Sequence, residues 1–161
     1  MARVWKYGDH VNTDLIIPGR YLDDYDIVSL SKHAMEDIDP SFANAVAEGD
    51  VIVAGRNFGC GSSREQAPAV LKEKGVGAVF ASSIARIFYR NAINVGLPVI
   101  ISDEAVKILD AGDEVELDLK SGTFTRKGDG VSIDFEPLSP FLLEILDSGG
   151  LVKYMKRKLG T

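Results

Sequence analysis

The sequence has very few side chains that bind metals. Among its 161 residues there is a single cysteine, Cys60, and two histidines, His10 and His33. One cysteine cannot form an internal disulfide bond, and it cannot supply the thiolates of a structural zinc site or of an iron–sulfur cluster. A self-contained metal centre is therefore not expected, and metal chemistry would need ligands from another chain.

The sequence also lacks a long apolar run and an excess of positive charge. No apolar stretch approaches the ~18 residues of a membrane-spanning helix, and residues 1–6 lack the apolar core of a signal peptide. The net charge of −6 argues against binding to nucleic acid or to an anionic membrane surface. The composition is 45% hydrophobic and 26% charged, as in an ordinary globular protein. We expect one domain over residues 1–161, located in the cytoplasm.

Glycines and hydroxyl side chains are concentrated in one stretch, residues 55–65, which reads GRNFGCGSSRE. The apolar run Val51–Ala54 before it predicts a buried strand, and residues 67–74 after it have helix-forming composition. Glycines let backbone N–H groups approach a ligand, a helix N-terminus favours negative charge, and Arg64 adds a fixed cation. We interpret the turn as a carboxylate or phosphate site, with an ordinary serine helix cap as the alternative.

Two common motifs do not match this turn. A P-loop needs lysine followed by serine or threonine after its last glycine, where this chain has Ser62 and Ser63 directly after Gly61. A nucleophile elbow needs a glycine two residues after its serine, and neither serine has one.

The order of apolar segments predicts an α/β fold. Residues 51–101 read as strand, helix, strand, helix, strand, which implies a parallel core with crossover helices. Residues 115–119, 123–125 and 131–135 alternate apolar and polar side chains, which predicts an antiparallel hairpin and a further strand. Residues 3–7 and 15–17 are read as two short strands around a polar turn.

Several helix ends can also be predicted. Ser82 or Ser83 is expected to cap a helix over residues 84–94, and Ser139 with Pro140 to begin another that ends near residue 147. The basic end, residues 153–158, is read as a solvated tail. On the first of these helices Arg86, Arg90 and Asn94 lie four residues apart. They form either a solvated polar stripe or a face toward a ligand or partner.

Four stretches, in matching order and spacing, carry a resemblance to a known family. They are VWKYGD (4–9) with NTD (12–14), PGRYL (18–22), NFGCGSSRE (57–65) and ARIFYRNAINVGLP (85–98). Together they resemble the small subunit of isopropylmalate isomerase (3-isopropylmalate dehydratase), which corresponds to the swivelling C-terminal domain of aconitase. The resemblance implies a three-layer swivelling β/β/α domain with a mixed sheet and a parallel core.

The resemblance also implies an activity that is shared between two chains. It is a hydro-lyase reaction of leucine biosynthesis, which isomerises 2-isopropylmalate and 3-isopropylmalate through dehydration and rehydration. This chain would bind no cofactor. A [4Fe–4S] cluster on an iron–sulfur large subunit would act as Lewis acid toward the leaving hydroxyl of a small dicarboxylic 2-hydroxy acid. The isolated chain could also form a homo-oligomer.

Roles for individual residues follow from the same resemblance. Ser62 would abstract the substrate proton, and Ser63 and Arg64 would bind substrate together with Gly61 and Cys60. Thr13 and Asp14 would support the site, although both also suit a plain turn. The specificity loop would be Arg20, Tyr21, Leu22, Asp23, Asp24 and Tyr25.

The acidic residues of this loop disfavour a third substrate carboxylate, which favours isopropylmalate over citrate or homoaconitate. The alternatives are a small subunit for another malate (citramalate/citraconate, dimethylmalate or homoaconitate) and a non-catalytic anion-binding module.

Overall fold

The computed structural model describes residues 1–160. Its strands are β1 Ala2–Lys6, β2 Val51–Ala54, β3 Ala78–Ala81, β4 Val99–Ile101, β5 Glu114–Asp118, β6 Thr123–Arg126 and β7 Ser132–Asp134. Its helices are α1 Thr13–Ile16, α2 Ile27–Ser31, α3 Phe42–Ala45, α4 Gln66–Glu73, α5 Arg86–Val95, α6 Asp103–Ile108, α7 Pro140–Asp147 and α8 Leu151–Leu159, with a 3₁₀ turn over Gly19–Tyr21.

The strands form one mixed sheet in the order β4-β3-β2-β1-β5-β6-β7. Strands β1 to β4 run parallel to one another, and β5, β6 and β7 pair antiparallel with one another. β1 joins the two halves, because it pairs in parallel with β2 and antiparallel with β5. The predicted α/β class and the mixed sheet with a parallel core are confirmed.

The two faces of the parallel half bury different partners. Since side chains alternate along a strand, Ile52 and Val79 face the helices α2, α4 and α5, whereas Val53 and Phe80 face the antiparallel half. The ring of Phe80 packs edge-on against Phe124, with centroids 5.4 Å apart. The sheet therefore curls over itself, and helices, parallel strands and antiparallel strands form the three layers that were expected.

The strand predicted at residues 15–17 is wrong. Leu15 and Ile16 form the second half of α1 and Ile17 is its C-terminal cap, because Asn12 Oδ1 accepts a hydrogen bond from the Leu15 N–H at 2.8 Å. A run of only three apolar residues has no measurable period, so it does not distinguish strand from helix. The N-cap side chain decides the outcome.

The cap predicted for α5 is also wrong. The helix begins at Arg86 and Ala85 occupies the N-cap position, so no side chain caps it. Ser83 instead accepts hydrogen bonds from the turn after β2, at its Oγ from Asn57 N (2.7 Å) and at its carbonyl from Phe58 N (3.1 Å).

The other helix ends match the predictions more closely. α4 begins at Gln66, which places Pro68 in its first turn, where proline is tolerated. The tail predicted at residues 153–158 is wrong, because these residues belong to the helix α8, which buries Tyr154; their lysines and arginine are exposed, as expected. Within residues 1–160, none of the helices combines the length and the hydropathy needed to cross a membrane.

Candidate active site

The candidate site lies where the parallel strands end. Three segments meet there, one following each of β1, β2 and β3. Backbone hydrogen bonds join them, from His10 N to the Arg56 carbonyl (2.8 Å), from Gly59 N to the Val11 carbonyl (2.7 Å) and from Ala85 N to the Phe58 carbonyl (2.9 Å). The carboxyl edge of parallel strands is the usual place for ligands in open α/β sheets.

The turn after β2 is held against α5 by a glycine. Gly59 has φ +78°, and a Cβ at this position would overlap the ring of Phe88 on α5. Only glycine meets both conditions. Next to it, Phe58 and Phe88 are buried and pack edge-on with centroids 5.2 Å apart. The turn therefore has a fixed position relative to the first turn of α5.

The hydroxyls of Ser62 and Ser63 are free for a ligand. Both residues are exposed, and neither hydroxyl is hydrogen-bonded to another group within residues 1–160. The backbone beneath them is fixed, because Thr13 Oγ1 donates to the Ser62 carbonyl at 2.9 Å and Thr13 N donates to the Cys60 carbonyl at 2.8 Å. α4 begins only at Gln66 and has no side-chain cap. The serines are thus not the ordinary helix cap that the spacing allowed.

Arg64 is anchored through one of its guanidinium nitrogens. Its Nη1 donates to Asp14 Oδ1 at 2.9 Å and to the Ile17 carbonyl at 3.1 Å. Its Nε and Nη2 have no hydrogen-bond acceptor within residues 1–160, so one edge of the guanidinium is available to a carboxylate. The hydrogen bond from Arg64, followed by one from the Gly19 N–H, lowers the pKa of Asp14.

A pocket of about 330 Å³ separates the serine turn from α5. Its lining residues are Thr13, Gly59, Gly61, Ser62, Ser63, Arg64, Ala85, Arg86, Ile87, Phe88 and Asn91. The two charged residues among them, Arg64 and Arg86, are both cationic, and the N–H groups at the uncapped start of α5 add partial positive charge. The pocket is therefore suited to an anion.

The predicted specificity loop lies beside this pocket but does not line it. Arg20 is paired with Asp37 through two hydrogen bonds of 3.0 and 2.7 Å. The ring of Tyr21 stacks on His33 with centroids 3.7 Å apart, and Leu22 is half-buried. Asp23, Asp24 and Tyr25 are exposed. The loop connects to the site through Gly19, whose N–H donates to Asp14 Oδ1 at 2.9 Å.

Five lining residues in or next to α5 were not assigned to the site from the sequence, namely Ala85, Arg86, Ile87, Phe88 and Asn91. Arg86 was considered only as part of a polar stripe that faces either solvent or a ligand or partner. Of the apolar pair at the start of α5, Phe88 is buried and Ile87 is 50% exposed. The predicted parallel core could have indicated these residues, because in such a core the segment after β3 must lie beside the turn after β2. Cys60, by contrast, is partly exposed and is not among the residues that line the pocket.

The chain offers few ligands for a metal. In the part that the structure describes, residues 1–160, no three histidine, cysteine, aspartate or glutamate side chains are grouped so as to hold a metal ion. The donor set of this site is hydroxyl and guanidinium, which suits a carboxylate rather than a cation.

Comparison with known proteins gives consistent matches over nearly the whole chain. The 3-isopropylmalate dehydratase small subunit of Thermodesulfovibrio yellowstonii is 50% identical over 98% of this chain and 94% of its own length. The methanogen homoaconitase small subunit of Methanothermobacter thermautotrophicus is 52% identical over 99% of this chain and 92% of its own. The crystal structure of 3-isopropylmalate dehydratase from Methanocaldococcus jannaschii superposes with a TM-score of 0.91 at 49% identity, covering 98% of this chain and 93% of that one.

The model of one protein family, the aconitase C-terminal domain, matches residues 10–104. This range contains the serine turn, Arg64 and α5, which together form the pocket. Family match, relatives and superposition agree, and the chain belongs to the aconitase C-terminal domain family.

Proposed function

We propose that this chain is the small subunit of a 3-isopropylmalate dehydratase, which interconverts 2-isopropylmalate and 3-isopropylmalate by removing water and adding it back. The supporting observation is one open pocket that contains two unbonded serine hydroxyls and an anchored arginine. The relatives of that name, at about 50% identity over nearly full length, support the same reaction. We further propose that the chain acts as one domain in the cytoplasm.

Ser62 is the proposed base. Dehydration breaks a C–H and a C–O bond on neighbouring carbons and forms a double bond, so a group in the pocket must take the proton from carbon. A serine side chain is a strong enough base for this proton only when it is ionised to the alkoxide, which free serine almost never forms. Cationic Arg64 and Arg86 and the uncapped start of α5 favour the charged form.

The neighbouring residues hold substrate and fix the turn. The free Nε–Nη2 edge of Arg64 binds a substrate carboxylate, while Asp14 orients the same guanidinium through Nη1. Ser63 binds substrate beside Ser62, and Gly61 presents backbone to it. Thr13 keeps the turn in place through the Ser62 carbonyl. This arrangement positions the base before substrate arrives.

The leaving hydroxyl needs an electrophile that this chain does not provide. Cys60 is its single cysteine and cannot hold a [4Fe–4S] cluster by itself, so the residues present do not fit that group. We place the cluster, which would supply Lewis acidity, on a large subunit that docks over the pocket. The half-exposed Ile87 at the pocket wall is an apolar contact for that subunit.

A second candidate is a homoaconitase small subunit, which one relative of similar identity favours. Homoaconitate carries a third carboxylate. The exposed Asp23 and Asp24 would repel it, and Arg20 already pairs with Asp37. The loop therefore favours a substrate with an alkyl group instead of that carboxylate.

The direct test combines the purified chain with its iron–sulfur large subunit and follows hydration of isopropylmaleate, citraconate and homoaconitate. We expect turnover only in the mixture, and the largest kcat/KM with isopropylmaleate. A mixture more active on homoaconitate would support the second candidate instead. A mixture inactive on all three acids would leave a non-catalytic anion-binding module.

A further inference from the structure

Arg64 alone cannot neutralise a dicarboxylate. Its charge is already shared with Asp14, which lies within hydrogen-bond distance at 2.9 Å and is held ionised by that contact. Its free edge has room for one carboxylate. A malate-type substrate carries two, and each is bound strongly only where a cation or several N–H donors face it. A second cation in the same pocket would allow this chain to hold both carboxylates.

Arg86 is that second cation. It lines the wall opposite the serine turn, it is exposed, and its guanidinium makes no ion pair or hydrogen bond within residues 1–160. No acidic side chain lines the pocket. The planar guanidinium matches a carboxylate through two parallel hydrogen bonds.

The position of Arg86 is unfavourable for the free chain. It is the first residue of α5, a ten-residue helix with no side-chain cap and no acidic residue in its first turn. A cation at this end opposes the helix dipole, whereas an anion bound in the pocket relieves both charges. A residue that costs stability where it stands is expected at a binding site.

We propose that Arg86 binds the second carboxylate of the substrate, across the pocket from Arg64, and so restricts the enzyme to dicarboxylic acids. This inference rests on the proposed function. The inference applies to Arg86 and not to Arg90, which lies one turn further along α5 and is also exposed. Both arginines line a neighbouring groove with Ile93 and Asn94, but only Arg86 also lines the serine pocket.

The test is the reconstituted complex with Arg86→Gln, compared with Arg90→Gln as the matched control. Losing a charged hydrogen-bond partner should raise KM for isopropylmaleate about 10- to 100-fold with a smaller change in kcat. Arg90→Gln should leave KM within about twofold. The thermal midpoint of Arg86→Gln should be equal to or above that of the wild type.

Two monoamides of 2-isopropylmalate, one for each carboxylate, identify the group that Arg86 contacts. One of them should bind the wild-type complex as weakly as the diacid binds Arg86→Gln, and lose no further affinity in that variant. Unchanged KM in Arg86→Gln with an active wild-type complex would overturn this inference alone. So would a rise in KM of equal size in Arg86→Gln and Arg90→Gln. An inactive wild-type complex would overturn the proposed function together with it.

Discussion

At the scale of single residues, the geometry of Arg64 depends on one exposed carboxylate. Asp14 and Arg64 are 50 positions apart in the chain, and their ion pair places the guanidinium beside the serines. Because the Asp14 side chain is 61% exposed, water and salt weaken the pair, and it contributes little to overall stability. The main effect of the pair is to orient the Arg64 guanidinium.

The variant Asp14→Asn separates these two contributions. We expect its free energy of unfolding to fall by less than about 1 kcal/mol, as for other surface pairs. The KM of the complex should rise about 10-fold, since a misplaced guanidinium loses part of a charged hydrogen bond. Urea unfolding and steady-state kinetics at neutral pH measure both quantities. A large loss of stability with normal KM would assign Asp14 a purely structural role.

The pH dependence of this pair has a definite sign. The pKa of Asp14 is lowered in the folded chain, mainly by the hydrogen bond from Arg64. The pair therefore contributes stability above the ordinary aspartate pKa of about 4 and loses it as the pH falls through the lowered value. The stability difference between wild type and Asp14→Asn should accordingly vanish in strong acid.

At the scale of secondary structure, α1 matters because its cap lies next to the site. Asn12 caps α1, and Thr13, the first residue of that helix, holds the Ser62 carbonyl. Ser139 caps α7 through the same kind of bond, to Leu142 N, and none of the pocket-lining residues belongs to α7. Asn12 and Ser139 are therefore comparable helix caps, one next to the site and one away from it.

Replacing either cap by alanine should lower the free energy of unfolding by about 1 kcal/mol. Only Asn12→Ala should also lower kcat, because it loosens the segment that positions the serine turn. Thermal unfolding and kinetics of the reconstituted complex check both variants. Equal kinetics in the two would show that α1 does not position the turn.

Local signals in the sequence were sufficient for most of these elements. Some signals can be recognised from adjacent residues in the sequence alone. They are the apolar runs of β2 and β3, the glycines after α4 and α5, and Ser139 with Pro140. They predicted the parallel core correctly. The short run at residues 15–17 failed because it was too brief to show a period.

The parts of the site that were missed depend on tertiary structure. The Asp14–Arg64 pair and the approach of Arg86 to Ser62 arise only when the segments after β1, β2 and β3 meet at one edge of the sheet. No local pattern encodes those distances. The serines themselves could be singled out, because the turn residues around them are unusual in composition and spacing.

At the scale of the whole molecule, the chain is proposed to form half of an active site, so one surface must meet a partner. The exposed Ile87 borders the pocket, whereas Val152 on α8 is exposed to a similar degree and does not. We expect Ile87→Asp to weaken binding of the large subunit at least 10-fold and Val152→Asp to leave it unchanged. Calorimetric titration of the two subunits measures both. Equal affinities would place the interface elsewhere.

The central claim is that Ser62 removes the proton from substrate, and Ser62→Ala in the reconstituted complex tests it most directly. We predict a fall in kcat of several orders of magnitude with the substrate dissociation constant largely unchanged, as for a group that acts in the transition state. Ser63→Ala should raise KM and keep measurable turnover. A Ser62→Ala complex that dehydrates isopropylmalate at the wild-type rate would contradict the account.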